Sequence, residues 1–107
     1  MPILAIVVNR TETIETQQNV ARRLRDDSQM PPAGLIFQVT SPADPGYQVI
    51  SVWDSLASFA RFRDERLNPA LEAEGVPPEH LTTTTFEATS YTGGDHAGAQ
   101  QQAATST

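Results

Sequence analysis

Apolar and polar positions switch between strand and helix periods along this chain. Ile3–Val8 (ILAIVV) is a continuous, largely β-branched run of strand length, apolar on both faces of an extended chain. From Thr11 to Asp26 the period is helical. Ile14, Val20, Ala21 and Leu24 share one arc, Glu12 and Glu15 lie in the first turn, and Arg22, Arg23 and Arg25 near the end suit the helix dipole. Asn9 or Thr11 is the cap. Pro31, Pro32 and Gly34 stop the helix. Gly34–Thr40 (GLIFQVT) and Tyr47–Trp53 (YQVISVW) read as strands, joined into a hairpin by the turn SPADPG at Ser41–Gly46. A second helix starts at Asp54 or Ser55 and runs to about Glu74. Pro69 removes one of its hydrogen bonds and restricts Asn68, so a kink or break is expected there. Gly75 and Pro77-Pro78 end it. Leu81–Ala88 (LTTTTFEA) is the last strand.

The order β-α-β-β-α-β predicts an α+β, ferredoxin-like fold. Right-handed crossovers place both helices on one face of a four-stranded antiparallel sheet. Strands one and three then lie in the middle, and the threonine-rich fourth strand has the polar dress of an edge. The central strands are apolar on both faces, while the helices cover only one. Leu4, Ile6, Val8, Ile50 and Val52 therefore call for a cover, and a second copy packed sheet to sheet is the expected one; the competing cover is loops and tail. From Gly93 to Thr107 the chain holds no large apolar residue. The expected folded domain is residues 1–92, with residues 93–107 a disordered tail.

Composition narrows the function. The chain has 107 residues, with 13 acidic and 7 basic side chains, a formal charge of −6 and no cysteine. All the basic residues are arginines. A disulfide framework, a thiol nucleophile and a zinc-thiolate site are excluded. An acidic chain without a basic cluster predicts no nucleic-acid or anionic-membrane partner. No apolar run approaches the ~20 residues of a membrane span, and no signal-peptide pattern opens the chain, so a cytoplasmic protein is expected. With His80 alone in the ordered part, no metal site is expected, and no Gly-rich phosphate loop or nucleophile elbow is present.

At the level of pattern, Gly34–Val39 (GLIFQV), Tyr47–Ser58 (YQVISVWDSLAS) and Phe59–Gly75 (FARFRDERLNPALEAEG) resemble the dimeric α+β barrel superfamily. That group includes antibiotic-biosynthesis-monooxygenase-like and stress-responsive barrel proteins. The resemblance covers roughly residues 1–92 at the level of pattern. It implies a homodimer with a pocket between sheet and helices in each protomer. It also implies activities that range from cofactor-independent, quinone-forming monooxygenase and polyketide cyclase to none. Two expectations follow. One is a small tailoring enzyme, monooxygenase or cyclase, that needs no cofactor and acts on an aromatic or polyketide-like small molecule. The other is a non-catalytic dimeric binding or structural protein. A cavity of roughly 300 Å³ or more beside the second helix separates them.

The candidate residues come mostly from the second helix and its neighbours. At about 100° per residue, Arg63 and Arg66 fall inside the apolar arc of Leu56, Phe59, Ala60, Leu67 and Leu71. Either one reaches a wet pocket and holds an anionic group there, or it extends along the apolar surface to water or a carboxylate. Trp53, Phe59, Phe86 and Phe37 are candidate walls for a ligand, and Trp53 equally serves to close the core. Some monooxygenases of the resembled group place a tryptophan and an asparagine in the pocket, which Trp53 and Asn9 match in type. His80 is a candidate base, with Tyr91 or Tyr47 as partner, as polyketide-cyclase relatives imply. Gln17, on the apolar side of the first helix, is a candidate donor to a ligand carbonyl.

Overall fold

The structure, a computed structural model, describes residues 1–26 and 31–90. Its elements are β1 (Ile3–Asn9), α1 (Ile14–Asp26), β2 (Leu35–Pro42), β3 (Tyr47–Trp53), α2 (Leu56–Phe62), a π-helical turn (Arg63–Leu67), α3 (Asn68–Ala73), a 3-10 turn (Pro78–His80) and β4 (Leu81–Glu87). One antiparallel sheet runs in the order β2-β3-β1-β4. The two strands with the most apolar faces are thus central, as their composition requires. Tyr91 and the tail from Gly93 lie outside the described residues.

The register of the sheet decides which side chains can meet. In β1, Ile3, Ala5, Val7 and Asn9 are buried beneath the helices, and Leu4, Ile6 and Val8 alternate with them on the outer face. Pairing sets Trp53, Ser51, Val49 and Tyr47 of β3 opposite the buried set. Asn9 lies directly across from Tyr47. The turn before Tyr47 presses against this pair: Gly46 has φ +92°, and a side chain there would strike the Asn9 carbonyl oxygen.

The same register corrects two expected pocket walls. Phe86 pairs with Leu4 and Phe37 with Val52, so both point away from the helices. They are about half exposed, at 52% and 48%. With Val39, Ile6 and Ile50 they form an apolar outer face that the described residues of one chain leave open.

The second helical segment departs from an ideal helix. Pro69 brings no N–H for the carbonyl one turn back. The chain answers just before it with a wide turn, in which the Asn68 N–H bonds to the Arg63 carbonyl. Phe62 and Leu67 both pack on the core although five residues separate them, about 140° apart on a regular helix. The wide turn absorbs this mismatch and carries the arginines off the apolar arc. Arg63 pairs with Asp64 at 2.9 Å, 40% exposed, with its guanidinium 5.8 Å from the Phe59 ring centre. Arg66 donates to the Leu24 carbonyl at 3.1 Å, which ties the wide turn to the end of α1. The expected kink or break at Pro69 is therefore a π-turn ahead of it. Of the two expected placements the pairing one describes Arg63, while Arg66 borders two outer clefts; neither lines the chamber between sheet and helices.

Candidate functional site

The buried core is split in two. Ile3, Ala5, Val7, Trp53 and Phe59 form one cluster, and Val20, Leu24, Ala70, Leu71 and Val76 the other. Phe62 and Leu81 pack against both. A chamber of about 60 Å³ lies at this seam, lined by Gln17, Gln38, Tyr47, Ser51, Trp53, Phe59, Phe62 and aliphatic side chains from the sheet and helices. Trp53 is 1% exposed and stacks at a tilt on Phe59 and Phe62, with ring centres 5.7 and 5.3 Å away. Beyond Phe62 lies an open groove of about 590 Å³, bounded by Gln17, Leu24, Gln38, Thr40, Pro31 and Phe62 among others. Four residues (Gln17, Leu24, Gln38 and Phe62) border both spaces. The chamber falls short of the roughly 300 Å³ of a ligand pocket, and the groove exceeds it. Phe62 is the largest of the four side chains that border both.

A polar cluster closes one end of the chamber. Asn9 is fully buried, and all of its hydrogen-bonding capacity is used. Its Oδ1 accepts from the Thr11 and Glu12 backbone N–H groups at 2.8 and 2.9 Å. Its Nδ2 donates to Glu12 Oε1 at 2.7 Å and to the Tyr47 hydroxyl at 3.3 Å. The other oxygen of Glu12 lies 2.8 Å from His80 Nδ1. An ionised carboxylate only accepts, so Nδ1 carries the proton. Burial pushes the Glu12 carboxyl up, but the hydrogen bonds from Asn9 and His80 and the charge of His80 outweigh it and hold it below its ordinary value. Burial pushes the Tyr47 phenol up from its ordinary value.

This coupling makes a prediction. A group with a lowered folded pKa stabilises fully above its unfolded pKa, roughly 4.3 for glutamate, and loses that contribution as pH falls through the lower folded value. Glu12→Gln is therefore expected to be less stable than the parent at neutral pH, with the gap closing as pH falls below about 4. Thermal unfolding across that range checks it; a gap independent of pH would contradict it.

The placements of the candidate residues are mixed. Trp53, Phe59 and Gln17 line the chamber, and Tyr47 joins it to Asn9. His80 meets this group only through Glu12. Arg63, Arg66, Phe37 and Phe86 lie elsewhere, and Tyr91 is outside the described residues. Sequence reasoning missed Glu12, Gln38 and Ser51 as neighbours of the site. Alternation along β3 puts Ser51 on the same face as Trp53, and that signal was legible. Glu12 reads from sequence only as a helix-start acid.

Comparison with solved structures identifies the architecture. SnoaB, a cofactor-independent oxygenase from Streptomyces nogalater seen in a mutant form, superposes with a TM-score of 0.57 at 16% identity, covering 84% of this chain and 94% of its own. A candidate antibiotic biosynthesis monooxygenase from Chloroflexus aurantiacus gives 0.62 at 15% identity, covering 87% and 98%. A dimeric ferredoxin-like protein of unknown function from Thermobifida fusca gives 0.58 at 18% identity, covering 82% and 92%. No protein-family model matches the chain. No curated protein matches it at a significant level. The fold is that of the dimeric ferredoxin-like and antibiotic-biosynthesis-monooxygenase-like proteins. No described helix is long and apolar enough to cross a membrane.

Proposed function

We propose that the protein is a small cofactor-independent oxygenase acting on an aromatic, polyketide-like substrate between sheet and helices. The observation that carries this reading is the lining of the chamber. It combines aromatic rings, aliphatic side chains and the neutral hydrogen-bonding groups of Gln17, Gln38, Tyr47, Ser51 and Trp53, with no charged side chain among the described residues that line it. An anthrone-type ketone carries an acidic C–H and its own reducing electrons. Its enolate reduces dioxygen directly. One oxygen atom becomes the new carbonyl of a quinone, and the other leaves as water with the two methylene hydrogens, so no outside reductant is needed. The protein's part is to exclude water, stack the rings and hydrogen-bond the enolate oxygen. The shared fold of the SnoaB oxygenase supports the reading.

The substrate enters from the groove as Phe62 turns aside and joins it to the chamber. Tyr47 and His80 also invite a cyclase reading, but Glu12 and Asn9 stand between them, which favours the oxygenase. One observation favours a non-catalytic binding protein instead: the chamber holds only about 60 Å³. The functional unit is a homodimer joined through the apolar outer face of the sheet. The exposed Phe37, Val39 and Phe86 support this, as does the dimeric description of the Thermobifida protein. Dioxygen uptake with an anthrone tests the activity: uptake above the buffer rate is expected, and the binding-protein reading prevails if none is seen.

A further inference from the structure

Two hydroxyls on β3 accept a hydrogen bond but have no partner for their own proton among the described residues. Tyr47 accepts from Asn9 Nδ2. Asn9 cannot flip to reverse this, because its oxygen takes two backbone N–H groups and its nitrogen faces the Glu12 carboxylate. Ser51 accepts from Trp53 Nε1 at 2.8 Å, and an indole nitrogen only donates. Each hydroxyl carries one proton, which these contacts do not use. Both residues are 3% exposed, and both line the chamber. A buried donor without an acceptor is costly, so each is poised for an acceptor brought from outside.

The two are four residues apart on the same face of β3, a separation of roughly 13 Å along the strand. Two inward donors at separate positions along the strand suit a ligand that carries an acceptor oxygen toward each of them. Trp53 and Phe59 supply the apolar wall beside it.

We propose that Tyr47 and Ser51 are the specificity-determining pair of this chamber, selecting aromatic ligands that present acceptor oxygens on opposite edges, as in a para-dione. The inference rests on the proposed ligand site, and it says which oxygens the site reads. Asn9 and Glu12 act as positioning residues that turn the Tyr47 proton inward. The pairing favours a dicarbonyl aromatic over its monocarbonyl or hydrocarbon analogue, because only the dione satisfies both donors.

Trp53 is the sole tryptophan, so its indole N–H gives a single NMR resonance beside Ser51. Titrating the full chain with naphthalene, 1-tetralone and 1,4-naphthoquinone while following that resonance tests the proposal. The chain has no cysteine or lysine to add to the quinone. The expected order is naphthoquinone tightest, tetralone about tenfold weaker and naphthalene about tenfold weaker again, each step being one hydrogen bond. Tyr47→Phe and Ser51→Ala should each weaken naphthoquinone about tenfold and leave naphthalene unchanged. Should Ser51→Ala fail to fold, Tyr47→Phe and the ligand order decide. Equal affinities for the three ligands, no binding by any of them, or variants that weaken naphthalene as much as naphthoquinone would overturn the pair. The oxygenase reading stands or falls separately: selective binding without dioxygen uptake defeats that reading alone, and uptake without selectivity defeats this one alone.

Discussion

Ile50→Glu is expected to convert the protein from a dimer to a monomer. Ile50 sits on the outer face of β3, across from Ile6 on one side and Val39 on the other. The proposed interface is that face, and a twofold axis brings each substitution into it twice. A carboxylate buried there has no cationic partner among its cross-strand neighbours, which are Ile6 and Val39, and one uncompensated buried charge costs about 3–5 kcal/mol. Two such charges weaken the dimer by several orders of magnitude in its dissociation constant. Inside one chain the effect is small, because Ile50 is only half-buried there and water reaches the new carboxylate. Light scattering after size exclusion separates the outcomes. A dimeric parent and a monomeric, still folded variant are predicted, and a variant that stays dimeric would place the interface elsewhere.

The second large effect is on folding. Trp53→Ala should cost about 3–5 kcal/mol, the range for deleting a large aromatic from a packed core. Trp53 is almost wholly buried, touches Phe59 and Phe62, and gives its N–H to Ser51. Removing it opens the seam between the two core clusters and leaves no ring for Phe62 to lean on. For a domain this small the loss is a large share of total stability. Trp53→Phe keeps most of the apolar area and gives up the N–H, so a much smaller cost is expected. Denaturant unfolding of both variants checks this. A Trp53→Ala loss below about 1 kcal/mol would show that the ring is not a core element.

Most of the architecture was legible in the sequence, because it depends on period and punctuation. The apolar runs of β1 and β3 marked the central strands, and SPADPG marked the hairpin turn. Two misplacements have physical causes. Angular bookkeeping at 100° per residue assumes an unbroken helix, and the π-turn before Pro69 breaks it, so Arg63 and Arg66 left the core arc. The spacing of five between Phe62 and Leu67 was the available clue. Residue type alone marks Phe37 and Phe86 as pocket walls, while the pairing register puts them on the outer face. The His80–Glu12–Asn9–Tyr47 cluster depends on a strand pairing and a 3-10 turn, with Glu12 and His80 68 positions apart, and local pattern does not reach that far.

The oxygenase claim is tested most directly by an oxygen electrode. Chelator-treated protein, with no added cofactor, is given anthrone in air-saturated buffer. Uptake well above the buffer rate is expected, with one dioxygen consumed per quinone formed and loss of the excess rate in Tyr47→Phe checked for native folding. An uptake rate no greater than that of anthrone in buffer alone would contradict it.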